Sequence, residues 1–428
     1  MKIKNNLFFG LQIFIFIIPL LYFFGPIDWK SNNNLVIYLY FLLCQICLIS
    51  GYFFGKKYKF SNSRTLKFNN KNIQLCLNVI YICSIIANII LILRVMDSFN
   101  PSKILSILFD PSTQYNEYQE ISSQVVGGGV VNLFITLYQS LSVMGMIAGV
   151  YFYRKLIFTT KMLFFTTVIF EFMNALVNGT NEGIFNVIIF LCVPFYINIQ
   201  RNRYKFNFKI KKLKQYKKYI ILILVGILFI SFFTNNISGR TAENYALPTI
   251  RPNTFNEDSL LYNITPDFLQ DTLVYSTVYL CEGIYGFSLA FKLPWVCTYG
   301  GGFSMFIRSN LESLLNVNLT AISFQGRAEN IFGWGANRNW HTMYTWFAND
   351  VSFYFVPVII FVIGFLFIKT YKDSLIKNNV FACILLTLLV MQILFIYSNN
   401  KVFALPSTCI SFFVSLFLWI ITRRYKFK

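Results

Sequence analysis

The 428 residues contain one histidine, His341, so a zinc centre built from several imidazoles is excluded, and no His/Cys cluster with zinc spacing replaces it. Charge is scarce as well. Asp, Glu, Lys and Arg together make up 13% of the chain, about half the roughly 25% of an average soluble domain. Carboxylates are the scarcest charge, 17 against 37 Lys and Arg. No Asp-x-Asp pair is present, and Glu257-Asp258 reads as a solvated acidic pair. No glycine-rich loop follows a strand pattern, which argues against nucleotide binding. Seven of the nine cysteines fall in apolar runs, where the thiol behaves as a small hydrophobe. Cys281 and Cys297 lie in a loop, where a disulfide is possible but has no framework spacing behind it. No metal and no cofactor is expected.

Long apolar runs fill the space that charge leaves. Hydrophobic residues make up 56% of the chain and aromatic residues 19%, so the expected class is an all-α polytopic membrane protein. Ten spans are expected, at 7–25, 35–54, 73–93, 130–152, 156–177, 184–198, 219–234, 351–368, 379–398 and 402–421. The first follows Met1-Lys-Ile-Lys4 without a small-residue cleavage site and reads as an uncleaved anchor. With the N-terminus inside, the inner segments collect most of the Lys and Arg, and Asp373 is the one carboxylate among them. Both termini are therefore expected in the cytoplasm. The same rule, with anionic lipid, accounts for the basic run at 201–218, so nucleic acid is not an expected partner.

Three regions follow: 1–235 with seven spans and an outer loop at 94–129, an outer segment at 236–350, and 351–428 with three spans and a cytoplasmic tail. The outer segment is the expected working part. Residues 268–293 are apolar enough for a helix yet carry Asp271 and Glu282, which suggests an interfacial or partly re-entrant helix ended by Pro294. Tyr299–Phe306 (YGGGFSMF) reads as a flexible hinge. Arginines at 240, 251, 308, 327 and 338 suit phosphate oxygens, because the guanidinium fork is planar and permanently charged. Trp295, Trp334, Trp340 and Trp346 offer flat faces to sugar rings, or anchor at the bilayer interface. Arginines and outward-facing aromatics together suit a lipid-linked phosphosugar. Glu171, near the outer end of the fifth expected span, is read as reaching headgroup water.

The segment Asn339–Thr345 (NWHTMYT), leading through Asp350 into a span, resembles the Asn-x-x-Thr segment and following Asp of the Wzy-type O-antigen and oligosaccharide repeat-unit polymerases. Ser238-Gly239-Arg240 after the seventh span is similar to the arginine that opens that family's large loop. NGTNEG at 178–183 is similar to a Gly-Ser/Thr-Arg turn, although Asn181 stands in the arginine's place. The resemblance covers the whole architecture, about ten spans with one dominant late outer loop, while its local motifs are loose.

It implies a GT-C-like, metal-independent membrane glycosyltransferase of the bacterial inner membrane. Such an enzyme joins undecaprenyl-diphosphate-linked oligosaccharides on the outer leaflet, beside a flippase and a chain-length co-polymerase. The implied roles are His341 as base, with Asp350 or Glu329 as substitute or as the group that holds its tautomer. Arg240, Arg251, Arg327 and Arg338 would receive the departing diphosphate, and Trp334, Trp340 and Trp346 would bind sugar. An O-antigen ligase acting on lipid A-core is the nearest alternative, and a non-enzymatic polysaccharide flippase or other transporter is the next.

Overall fold

Hydrocarbon offers a backbone no hydrogen-bonding partners, so an apolar run of about 20 residues satisfies its own N–H and C=O groups as a helix. The computed structural model describes residues 6–31, 33–57, 64–66, 69–96, 107, 130–206 and 253–427. Among these, seven helices are long and apolar enough to cross a membrane. Six come first: α1 (Asn6–Phe24), α2 (Asn34–Lys57), α3 (Asn70–Met96), α4 (Val130–Phe152), α5 (Phe158–Val177) and α6 (Asn181–Phe206). The outer segment contributes α7 (Leu260–Asn263), α8 (Asp267–Ala290), α9 (Met305–Leu315), α10 (Leu319–Ile322) and α11 (Phe324–Phe332). The seventh long apolar helix, α12 (Met343–Ile376), follows, then α13 (Val380–Leu394), α14 (Lys401–Ala404) and α15 (Pro406–Thr422). At 15 and 17 residues, α13 and α15 are apolar but shorter than a typical span. The expected span 219–234 and almost all of the expected outer loop 94–129 lie outside the described residues.

The chain divides into two compact units. The first holds the described residues of 1–60, 242–370 and 388–409. In it α2 and α12 cross at small residues: a Cβ at Gly51 would collide with the Phe361 carbonyl, and one at Gly364 with the Leu48 carbonyl. Such close approach is a common way for helices to associate in lipid, where apolar burial alone gives little drive. Aromatic rings fill the remaining space. Phe8 stacks on Tyr52 at 4.0 Å, and Phe41 sits 5.0 Å from Phe287, 4.9 Å from Tyr397 and 5.5 Å from Tyr344. Two residues after α1, strand β1 (Ile27–Asp28) pairs antiparallel with β3 (Thr254–Phe255), with Ile27 opposite Phe255. That pairing ties the α1–α2 connection to the outer segment.

Helix α8 matches the expected range 268–293, but its two halves differ. Asp267 and Asp271 are exposed, whereas every residue from Cys281 to Ala290 is buried. Cys281 Sγ lies 3.6 Å from the Ile18 carbonyl of α1, and both Cys281 and Cys297 are free thiols, so the possible disulfide does not form. A helix half buried on all faces is interior structure of the protein rather than a raft on its surface. The expected span 351–368 begins earlier than the apolar run suggested. Helix α12 starts at Met343 and runs through a break at Ser352, whose φ of 60° and ψ of 162° interrupt the helical ladder.

The second unit holds the described residues of 61–241, 371–387 and 410–428. Its helices α3 to α6 pack on one another through polar as well as apolar contacts. Tyr81 Oη donates to the Gly145 carbonyl (3.1 Å), Tyr151 Oη to Ser374 O (2.8 Å) and Ser411 Oγ to Ser140 O (2.8 Å). Glu171 Oε1 accepts from Ser142 Oγ (2.5 Å) and Asn88 Nδ2 (3.1 Å). Asp373, the inner-side exception among the carboxylates, pairs with Lys377 (3.1 Å) and accepts from Trp419 Nε1 (2.9 Å). Strand β2 (Arg64–Leu66) pairs in parallel with β4 (Tyr425–Phe427), which holds an expected cytoplasmic loop against the C-terminal tail.

Candidate active site

The end of the outer segment, Trp346-Phe-Ala-Asn-Asp350, organises the first unit's polar interior. Asn349 uses its whole amide. Its Nδ2 donates to the Gly302 carbonyl and to Gln325 Oε1, both at 2.9 Å, and its Oδ1 accepts from Phe324 N at 2.8 Å. Its backbone carbonyl accepts from Thr298 N and from Trp295 Nε1, each at 3.2 Å. Asp350 is equally committed. One carboxylate oxygen accepts from Thr298 Oγ1 (2.5 Å), Gly300 N (2.8 Å) and Gly302 N (3.2 Å), and the other from Phe303 N (2.8 Å).

The glycine-rich stretch is therefore a cradle for a carboxylate and not a hinge. Gly300 at φ 83° supplies the left-handed turn that aims successive N–H groups at one anion. The sequence expectation gave Asp350 a part in proton transfer; in the structure both of its oxygens are occupied in bracing residues 298–303.

Helix α9 begins where this cradle ends. Ser304 caps it by accepting from Ile307 N (3.1 Å), and the Ser304 hydroxyl donates to the Phe403 carbonyl at 2.6 Å. One turn later Arg308 points inward and is 1% exposed. Its guanidinium lies over the Trp346 ring, 5.0 Å from the centroid. Nη1 donates to Ser323 Oγ (3.4 Å) and Nη2 to Asn337 Oδ1 (3.1 Å), which leaves Nε without a partner. Ser323 in turn caps α11 by accepting from Gly326 N at 3.1 Å. Burial pulls the Arg308 pKa down, and the Glu312 charge opposes that shift. A guanidinium nonetheless stays protonated. An unpaired buried charge costs several kcal/mol.

His341 stands on the loop 333–342 that leads into α12, and it is 1% exposed. A Cβ placed on Gly286 of α8 would lie 3.4 Å from its Nδ1. Burial lowers its pKa from 6.5 to about 3; the Gly335 backbone opposes the shift, and the Arg308 charge adds to it. Neither ring nitrogen makes a hydrogen bond of good geometry. A neutral imidazole with so low a pKa is a weak proton acceptor near neutrality.

One turn back along α8 from Gly286 is Glu282, 4% exposed. Its Oε1 accepts from Asn339 Nδ2 (3.1 Å) and from Trp340 N (3.3 Å). Burial raises its pKa from 4.5 to about 7, against the lowering effect of those two donors. The NWHT segment thus clamps a carboxyl group whose pKa suits acid–base work at neutral pH.

The other expected site residues are dispersed. Arg338 is exposed on the turn 336–338, and Glu329 is exposed on α11. Arg327 is half-buried, donates from Nη1 to the Pro294 carbonyl (2.6 Å) and lies over the Phe324 ring. Arg240 and Arg251 lie outside the described residues. Trp334 and Trp346 are 3% and 4% exposed, so neither ring offers a free face to a sugar. Trp334 meets Tyr285 edge-on at 5.0 Å and donates from Nε1 to the Trp340 carbonyl (3.2 Å). Trp340 is half-buried against Tyr279, and Trp295 is 48% exposed. Among the described residues, no three His, Cys, Asp or Glu side chains converge as metal ligands.

Two residues that sequence reasoning did not place in the site now belong to it. Glu282 had a legible signal, a carboxylate inside an apolar run, where burial of charge is expensive. Arg308 had none beyond its residue type, because the register of a short helix decides which side it faces. No family model, curated protein or solved structure matches the chain.

Proposed function

We propose that the protein is a membrane glycosyltransferase that joins undecaprenyl-diphosphate-linked oligosaccharide repeat units into O-antigen or capsular polysaccharide. The observation that carries this reading is the clamp of Asn339 and Trp340 on Glu282, inside the segment that resembles the repeat-unit polymerases. A hydroxyl of one repeat unit attacks the anomeric carbon of another, the bond to the lipid diphosphate breaks, and the hydroxyl proton must be taken up. Glu282, with a pKa of about 7, is better matched to that proton than His341 at about 3. His341 then serves as a neutral hydrogen-bonding group beside it. Arg338, exposed on the turn 336–338, is assigned the departing diphosphate, because a cation there would stabilise developing negative charge.

The test is an electrophoretic profile of surface polysaccharide from a host lacking the gene, complemented with the wild type, Glu282→Gln or Arg338→Ala. The expected result is a long ladder with the wild type and, in both variants, collapse to core carrying a single repeat unit. If the strain without the gene carries no repeat unit on its core at all, the polymerase reading is wrong, and ligation or export is the step that has been lost.

A further inference from the structure

Helix α11 is covered along only part of one face. Phe324, Ala328 and Ile331 repeat at i, i+4 and i+7, the spacing of a single helical face. Phe324 and Ala328 are fully buried, and the Phe324 ring lies 4.9 Å from that of Phe353, where α12 resumes after its break. One turn further on the cover stops. Ile331 is 61% exposed, and Phe332 beside it is exposed as well. Gly333, at φ 69°, then ends the helix and sends the chain back to buried Trp334.

The bare end belongs to a larger apolar surface. Arg327 Nη1 ties α11 to the Pro294 carbonyl, so the exposed Trp295 and Val296 lie on the turn beside it. Past Phe353 the surface continues along α12 as Tyr354, which is 91% exposed, then Phe355, Val358 and Val362. On the adjoining α2, Tyr40 Oη donates to the Phe353 carbonyl (2.9 Å), and Leu39 and Leu43 are exposed. Both α2 and α12 are long and apolar enough to cross a membrane, and apolar side chains left bare on such helices are solvated by lipid. The tip of α11 extends that lipid-facing surface past the end of the span.

The placement of charge agrees. Lys292 is exposed at the edge of this surface, with Nζ 5.8 Å from the centroid of the Phe332 ring. Glu329, the carboxylate of α11, stands two residues from Ile331 and therefore about 200° around the helix, on the opposite side. Asp350, the nearest acidic residue of α12, is spent on the backbone of residues 300–303. Aromatic rings beside a lysine at the end of a span are the composition of a bilayer boundary, where the ammonium reaches phosphate while the rings sit in the upper acyl region.

We propose that the tip of α11 is a phospholipid-binding surface on the leaflet at this end of α12, the outer leaflet by the distribution of charge. Ile331, Phe332 and Trp295 contact acyl chains below the headgroups, and Lys292 pairs with lipid phosphate. The contact seats the outer segment on the membrane beside the span. It needs only the membrane character of α2 and α12 and stands apart from the polymerase reading.

The experiment places the photo-crosslinking residue p-benzoylphenylalanine at Ile331, Phe332, Glu329 or Tyr354 of the full-length chain. Host membranes are irradiated, and the adducts on the purified protein are identified by mass spectrometry. At Phe332 the change exchanges one exposed ring for another, and thermal unfolding checks that the fold is kept. Ile331 and Phe332 should give phospholipid adducts in a yield close to that of Tyr354, and Glu329 little or none. Adducts to a second copy of the chain, to another protein or to a polyprenyl lipid in place of phospholipid would each overturn the proposal. So would an equal lipid yield at Glu329, or an absence of lipid at Ile331 and Phe332.

The role of Lys292 is read from the headgroups. In proteoliposomes of equal parts phosphatidylglycerol and phosphatidylethanolamine, adducts at Phe332 should favour the anionic lipid. Lys292→Gln should lower that preference about fivefold, the worth of one basic side chain near a charged lipid surface. An unchanged ratio would overturn the pairing of Lys292 with phosphate.

Discussion

Glu282 and His341 contribute to stability in opposite senses as pH changes. The folded Glu282 carboxyl titrates near 7, above its ordinary 4.5. Its contribution is therefore complete below about 4.5 and is lost as pH rises through 7. The folded His341 imidazole titrates near 3, below its ordinary 6.5. Its contribution is complete above about 6.5 and is lost as pH falls toward 3. Glu282→Gln should leave the unfolding temperature almost unchanged near pH 4.5 and raise stability at about pH 8, by something on the order of 2–3 kcal/mol. Unfolding of the purified protein at those two values checks this, and equal shifts at both would refute it. His341→Asn should flatten the loss of stability below about pH 6 in the same measurement. Asp350→Asn removes the charge from a carboxylate that holds three backbone N–H groups and a hydroxyl. It should cost about 2–4 kcal/mol and open residues 298–303 to proteolysis before the rest of the chain unfolds. Cleavage elsewhere first would show that the cradle is not what Asp350 maintains.

At the scale of the element, the break in α12 is the feature most open to test. Ser352 adopts φ 60° and ψ 162°, a combination that glycine enters freely and other residues enter at a cost of about 1–3 kcal/mol. Ser352→Gly should therefore raise the unfolding temperature of the detergent-solubilised protein, and Ser352→Val should lower it. A destabilised glycine variant would mean that contacts of the serine side chain outweigh the backbone cost.

The apolar run of residues 351–368 made the span legible in the sequence. It could not show that the helix extends back to Met343, because Tyr344, Thr345, Trp346 and Asn349 read as polar and aromatic outer-loop residues. They are helical because tertiary burial, with Tyr344 against Phe41 and Tyr397, outweighs local pattern. The same cause hid the site. The sequence singled out the segment 339–350, and residues of that segment do organise the polar interior. Which side chains it buries depends on partners far away in the chain, such as Glu282 beneath Trp340, 58 positions earlier, and Phe41 against Tyr344, and composition carries no information about such contacts.

At the scale of the whole molecule, the two small sheets report on topology. In the first unit β1 and β3 join two segments that charge distribution assigns to the outer side; in the second unit β2 and β4 join two assigned to the cytoplasm. Single cysteines at Asp28 and Thr254, introduced after the nine native ones are replaced, should react with a membrane-impermeant thiol reagent in spheroplasts. Cysteines at Thr65 and Lys426 should react only after lysis. Labelling of one member of a pair without the other would contradict the strand pairing itself. The class of the molecule, an all-α chain with many membrane-length helices, was readable from hydropathy, since each span is a local property. Burial of the second half of α8 was not, because its cover arrives from α1, α2 and the connection after α13.

That cover has a consequence for biogenesis. Gly283 of α8 lies against the Tyr397 carbonyl so closely that a Cβ would collide with it, and Met343 N donates to the Ile396 carbonyl at 3.0 Å. Residues 396 and 397 are synthesised more than a hundred positions after α8 begins. During translation α8 therefore leaves the ribosome with α1 and α2 already made but the part of its cover from residues 396 and 397 still to come. Its second half, apolar and carrying a carboxylate, is fully covered only once α13 and the residues that follow it have been made. Completion of the packing around α8 is for this reason a late step, and a nascent chain arrested before residue 396 would leave the Gly283 side of α8 uncovered.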